Sequence, residues 1–233
     1  MKFLKRLGDV FTAPNACFTS IRDEGKSWTD YVIPILLLIA MIVIFLLLTV
    51  DIVQQEQIDA IRRMPQLTEE QKEAAIQQSN TPLITALKYV SGIFSTVISI
   101  LFTALVFWVV GNFIGGGEQK YGTLLVTALY IQLISIPESI VKLILILQKE
   151  LIQVYVGLAS LVSEPELGSF GFQFLAQFEF FKIWRILLWV IAFKVLYRYN
   201  TKKSAILVVV TMLIGMLLAA LMGSMSMRMG QLG

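Results

Sequence analysis

The run 31–50, YVIPILLLIAMIVIFLLLTV, passes through twenty residues without a charge. As a helix rising ~1.5 Å per residue it reaches roughly 30 Å, the thickness of bilayer hydrocarbon. Further apolar segments lie at about 86–114, 122–147, 182–199 and 204–226. The expected fold class is therefore all-α, a polytopic membrane helix bundle of five transmembrane helices with N-terminal interfacial helices. Its expected parts are a cytoplasmic amphipathic segment over 1–30, a five-span membrane domain over 31–226 and a tail over 227–233. The fourth span, KIWRILLWVIAFKVLYRY, is the weakest because it carries Lys182, Arg185 and Lys194. Its alternative is half insertion, leaving four spans. Basic side chains near helix ends snorkel, and Trp184, Trp189, Tyr197 and Tyr199 suit an interfacial aromatic belt.

Composition removes many functions. Hydrophobic residues make up 57% of the chain and charged ones 15%, with a mean hydropathy of +0.76; a water-soluble domain of that balance would expose too much apolar surface. Histidine is absent, and Cys17 is the single cysteine. The commonest general base and metal ligand is therefore missing, as is any internal disulfide or Cys-based zinc site. Neither a catalytic residue, a metal site nor a cofactor is expected, so the chain reads as no enzyme. A net charge of +3, with no basic stripe, gives no reason to expect nucleic acid as a partner. No secretory signal is expected, since the basic start at Lys2, Lys5 and Arg6 is followed by no apolar run before Tyr31.

Basic residues set the expected orientation. The N-terminal segment (Lys2, Lys5, Arg6, Arg22, Lys26), the turn at Lys120 and the turn at Arg198, Lys202 and Lys203 hold nine; the opposite side holds five, at Arg62, Arg63, Lys72, Lys149 and Arg228. The N-terminus is expected in the cytoplasm and the C-terminus outside. Within 1–30, Phe3, Leu4, Leu7, Val10 and Phe11 form an apolar face, with Lys2, Lys5 and Arg6 assigned to another. Pro14 suits the first position of a second helix that places Phe18 and Ile21 together. The pair could lie on anionic lipid or form a docking site for a cytoplasmic protein partner.

The loop 51–82 reads as water-soluble. Thr68 and Gln71 form a capping-box pattern that predicts a helix to about Gln78, and Pro65 separates it from a segment bearing Ile58, Ile61 and Met64. Residues 151–162 are apolar but too short to cross. After Pro165 a phenylalanine-rich stretch, Phe170 to Phe181, suits an interfacial or re-entrant segment.

The unusual feature within the spans is Pro137-Glu138-Ser139-Ile140-Val141-Lys142. Glu138 and Lys142 are one helical turn apart in the favourable order. Pro137 lacks the amide that would bond the Leu133 carbonyl, which predicts a kink and an unsatisfied acceptor. Lys88, Glu179, Lys182 and Arg185 are expected at a similar depth, completing a candidate intramembrane polar network. Three roles are open to it: an interhelical ion-pair lock, a site for an ion, proton or lipid headgroup, and intramembrane catalysis. Gly115-Gly116-Gly117-Glu118 reads as a hinge-like turn, since no Lys-Ser/Thr follows as in a phosphate-binding loop. Gly215, Ala219 and Gly223 form a candidate helix-packing face, within the bundle or in a homo-oligomer.

Four blocks together resemble the Yip-domain family, five-span membrane proteins named for interaction with Ypt/Rab GTPases. They are APNACFTSIRDEGKSWTDYVIPILLL, VGNFIGGGEQKYGTLLVTALY, the Pro137 region, and FEFFKIWRILLWVIAFKVLYRYNTKKSAILVVV. The likeness spans roughly 11–225. Ala192-Phe193 departs from the Gly-Leu of many members, and the short arm resembles bacterial members. The resemblance implies a non-enzymatic multi-pass protein that organises membrane or recruits partners, with no catalytic residues to carry over. A small ion, proton or solute transporter or channel using Glu138 is the alternative. Cytoplasmic membrane is the expected location, with an endomembrane as the alternative, and the lipid bilayer is the expected first partner.

Overall fold

The computed structural model describes residues 2–79, 81–162 and 166–232, with side chains as far as Met227 apart from that of Pro82. The expectations resting on Pro165 and on the side chain of Arg228 lie outside the described residues. Among the described residues the regular structure is helical: α1 (Lys2–Thr12), α2 (Pro14–Asp23), α3 (Thr29–Arg62), α4 (Glu69–Ser79), α5 (Pro82–Val109), α6 (Tyr121–Gln132), α7 (Ser135–Lys149), α8 (Phe170–Leu175), α9 (Phe180–Leu196) and α10 (Thr201–Leu232). Four stretches are long and apolar enough to cross a membrane: Thr29–Arg62, Leu83–Ile114, Tyr121–Lys149 and Thr201–Met227. The segment expected at 182–199 forms α9, which with 17 residues is at the lower end of the roughly 17–25 that a bilayer-crossing helix takes and is not among these four.

The helices overrun the apolar windows because helix propagation is favourable past the last apolar residue. α3 continues to Arg62, so the first part of the expected loop is helical, and Ile61 on its end is buried. α4 begins where the capping pattern places it. The Thr68 amide donates to Gln71 Oε1 at 3.0 Å, and the Gln71 amide donates to Thr68 Oγ1 at 3.3 Å. Each side chain satisfies an orphan amide of the other's backbone.

α6 is apolar on every side and forms the centre of the bundle: Leu124, Val126, Ala128, Leu129, Tyr130 and Ile131 are all buried. α5, α9, α3 and α2 pack around it. By contrast, α3, α5 and α10 leave large residues such as Leu36, Leu47, Phe94, Phe102, Ile214 and Leu218 exposed, as lipid-facing helices do. On α10 the buried row is Ser204, Val208, Met216, Ala220 and Ser224, a four-residue repeat.

The Pro137 kink lies one turn upstream. The ladder tightens at Leu133 and Ile134, whose amides donate to the carbonyls three residues back, at 3.2 Å each. The acceptor expected to be orphaned is satisfied: the Ile136 amide donates to the Leu133 carbonyl at 3.0 Å. A three-residue bond does not need the proline's missing amide.

The N-terminal helices, joined through Ala13, are part of the bundle. Val10, Cys17, Phe18 and Ile21 are buried against α6 and α9. Arg6, assigned by pattern to the polar face, is corrected by the structure: it is 1% exposed. The aromatic belt expected on α9 is also partly corrected. Trp189 and Phe193 are core residues, with the Trp189 ring stacked on Phe107 at 3.9 Å. Ala192 beside them has no exposed surface, so the small side chain lets α9 pack closely at the position of the family departure.

Candidate functional site

At the start of α9, its charged residues meet α7. Glu138 in the first turn of α7 accepts from Lys142 Nζ at 2.9 Å and from Arg185 Nη1 at 2.7 Å. Lys142 also donates to Glu179 at 3.0 Å, which closes a chain of two acids and two bases across the two helices. These are charge-assisted bonds of good length. Lys182 lies beside them but donates its hydrogen bond to Gln177 Oε1. Lys88 stands apart: its Nζ donates to Gln57 Oε1 at 2.6 Å, tying α5 to the C-terminal part of α3. The structure therefore brings Glu138, Lys142, Glu179 and Arg185 into one bonded group, with Lys182 adjacent and Lys88 elsewhere.

A cleft of about 370 Å³ opens beside this group, lined on one side by Ile42, Phe45 and Leu46 of α3 and on the other by Gln132, Ser135 and Ser139 with Glu138, Lys142 and Arg185. Polar donors on one wall and apolar side chains on the opposite wall suit a solute or headgroup with both characters. Both oxygens of Glu138 accept from cations, so the carboxylate meets the cleft as a paired group. Among the described residues no set of three or more Cys, Asp or Glu side chains could hold a metal ion.

A second buried group was missed by sequence reasoning. Arg6 Nη1 donates to Asp30 Oδ2 at 2.9 Å, Nε to Ser20 Oγ at 2.8 Å, and Nη2 to the carbonyls of Ser20 at 2.7 Å and Gly25 at 3.0 Å. The other oxygen of Asp30 accepts from the Tyr130 hydroxyl at 2.8 Å, and the Ser27 amide donates to Oδ2 at 2.8 Å. One ion pair thereby joins α1, the α2–α3 turn, the start of α3 and the centre of α6. Two signals in the sequence point to it. Asp30 stands at the threshold of the first apolar run, and Arg6 is four residues from buried Val10, on the same helix face. Beside this group the Cys17 thiol is pushed up to about 12 by burial and by Asp9, which keeps it protonated and unreactive. Burial draws the Lys26 ammonium below its usual range; it donates to Thr123 Oγ1 at 2.8 Å.

The same end of the bundle gathers the other two turns. The Asn112 side chain and the Gln119 backbone bond each other in both directions, at 2.9 and 3.0 Å. The last carbonyls of α9 are capped from distant elements, Val195 by Arg22 Nη1 and Leu196 by Gln119 Nε2, at 2.8 Å each. Tyr197 packs over Gly111 and Gly117 so closely that a Cβ at either glycine would strike its ring. The glycine turn is thus clamped rather than hinge-like. Lys203 Nζ donates to the Gly115 carbonyl at 2.6 Å from above the Tyr199 ring.

Of the candidate packing face on α10, Gly215 and Ala219 are exposed, and a Cβ at Gly215 would meet nothing within 4 Å. Gly223 alone is approached, by the side chain of Gln173 before α9. The intramolecular contact of α10, with α8 and α9, runs along the neighbouring buried row instead.

No curated protein and no solved structure gives a significant match. A family model described as the Yip1 domain, a family in general of non-enzymatic membrane proteins, matches residues 8–222. That stretch takes in both buried charge groups apart from Arg6, together with the clamped glycine turn, three of the four long apolar helices and most of the fourth, and on it the chain belongs to the Yip1-domain family.

Proposed function

We propose that this is a five-pass membrane protein without catalytic activity, which recruits a protein partner or organises membrane through α1 and α2 at the cytoplasmic end of the bundle. The docking of α1–α2 carries the reading. The Arg6–Asp30–Tyr130 bonds hold the pair rigidly against α6, which leaves its outer side as a preformed surface. That side contains a cleft of about 380 Å³ lined by Lys2, Lys5, Asp9, Asn15, Asp23 and Glu24, a mixed-charge surface suited to a polar protein segment. Fixing the surface in advance lowers the ordering cost of binding.

The five-pass count is supported by the course of α9. Glu179 at its start meets Lys142 of α7, and Leu196 at its end meets Gln119 before α6, so α9 accompanies α6 and α7 from one end to the other. Its charges near the start are bonded within the bundle, which offsets their cost in lipid. In this reading the spans are those expected from sequence, 1–30 is the cytoplasmic segment, and the N-terminus is inside. The bilayer is the cytoplasmic membrane, with an endomembrane as the alternative.

Single cysteines at Gln55 and Thr201, in a Cys17→Ser background, are expected to label from opposite sides of sealed cells with an impermeant reagent. Labelling from one side would remove the five-pass count. A photoreactive residue at Asn15 is expected to capture a discrete protein in native membrane, and Asp23→Lys to abolish that capture. Equal capture from Gln55, at the other end, would remove the recruiting role.

The cleft beside Glu138 favours one alternative, a small ion, proton or solute transporter. Reconstituted vesicles read it directly: flux abolished by Glu138→Gln would replace the recruiting function with transport.

A further inference from the structure

α5 and α10 diverge to leave an apolar groove of about 630 Å³, lined by Phe102, Val106 and Val110 on one side and by Ile206, Val210 and Leu218 on the other. Gly215 lies in its wall, and the absent side chain keeps that stretch open. From Ile206 to Leu218 the groove follows α10 for about 18 Å. One leaflet of hydrocarbon is about 15 Å deep, so the groove matches a single acyl chain in length. Ile206 and Leu207 also line a second cavity of about 240 Å³ whose other walls are Asn200, Lys202 and Lys203. The apolar groove therefore opens at one end into a cationic mouth.

That mouth is built. Asn200 Oδ1 accepts from the Lys203 amide at 2.8 Å, fixing the first turn of α10. The Lys203 ammonium is held by the Gly115 carbonyl and the Tyr199 ring, so its charge is positioned without an acidic partner. Lys202 is exposed beside it, and among the described residues neither lysine forms a salt bridge. Two unneutralised cations at a helix N-terminus attract an anion, and the groove below accepts a chain attached to it.

We propose that the α5–α10 groove with Lys202 and Lys203 is a binding site for one anionic glycerophospholipid, its phosphate at the lysines and one acyl chain along α10 past Gly215. Net negative headgroups are selected over zwitterionic ones, because a choline would set a third cation beside Lys202 and Lys203. Native mass spectrometry of the full chain in neutral detergent, titrated with phosphatidylglycerol and phosphatidylcholine, reads the preference. The unmodified chain is expected to retain phosphatidylglycerol preferentially, and Lys202→Gln to lower that preference about fivefold. Gly215→Phe, filling the groove below an intact mouth, is expected to lose both lipids, whereas Leu213→Phe, outside the groove lining, loses neither. Where Gly215→Phe does not fold, Leu218→Trp blocks the far end of the groove and carries the same expectation. Equal retention of the two lipids, a preference unchanged by Lys202→Gln, or displacement of the bound lipid by soluble glycerol phosphate would each overturn the site.

Discussion

Arg6–Asp30 and Glu138–Lys142–Arg185 are both charged groups sunk in an apolar bundle, and they are built on opposite plans. The first is sealed. Its side chains are 2% and 3% exposed, and each charged atom is matched by hydrogen bonds from separate elements. The second is open and redundant. Glu138 is 11% exposed and Lys142 28%, the carboxylate has two cations, and the group faces a cleft. A sealed pair has one acceptable state, because a lone charge in low dielectric finds no water to replace its partner. The open group can lose a member and remain paired. The sealed group therefore suits a lock, and the open one suits a place where composition and occupancy change.

Several substitutions would break or sharpen this contrast. Arg6→Met should produce the largest loss, about 3–5 kcal/mol by unfolding in detergent, since it strands Asp30; adding Asp30→Leu should recover part of it. Should Arg6→Met be no worse than Lys142→Met, the two groups would not differ in kind. Lys142→Met is expected to cost about 1.5–3 kcal/mol, because Arg185 still holds Glu138. A cycle with Glu138→Leu should show coupling, and strict additivity would argue for separate roles of the two residues. Tyr130→Phe removes one bond to a charged acceptor and should cost about 1.5 kcal/mol; a null effect would show that Arg6 and Ser27 secure Asp30 without it.

Reactivity gives a finer comparison. Native Cys17, beside the sealed group, should resist a membrane-permeant thiol reagent until the protein unfolds, while a cysteine at Ser139 in the open cleft should react with it in the folded state. The smallest effect is with pH. Arg22 holds the exposed Asp23 carboxyl below its ordinary value, so its contribution is present above the unfolded carboxyl's value and is lost as pH falls through the lower folded one. Thermal scans in acid should therefore show only a shallow decline from this pair, removed by Asp23→Asn.

Some of the candidate site was legible. Glu138 and Lys142 are neighbours on one helix, and helical spacing alone places them together. Arg185 and Glu179 are expected at a similar level by counting from the turns, and in the structure they bond Glu138 and Lys142. Lys88 was placed with them by the same count, but depth says nothing about the side of the bundle on which a residue lies. The Arg6–Asp30–Tyr130 group joins residues separated by 24 and 100 positions, beyond the range of any local pattern.

From the sequence alone came the all-helical class, the long apolar helices, the capping box at Thr68 and the i,i+4 pair on α7. Each follows from interactions within a few turns of the chain, or from the length that bilayer hydrocarbon demands. Only tertiary structure decided that α6 is central, that Trp189 is core, that Gly215 opens a groove and that Arg6 is buried. In an almost uniformly apolar chain no helix face announces itself as the inner one, since lipid and protein are equally apolar solvents for it. The choice between them is made by shape, by small residues such as Ala192 and Gly111, and by the few polar groups that must find one another.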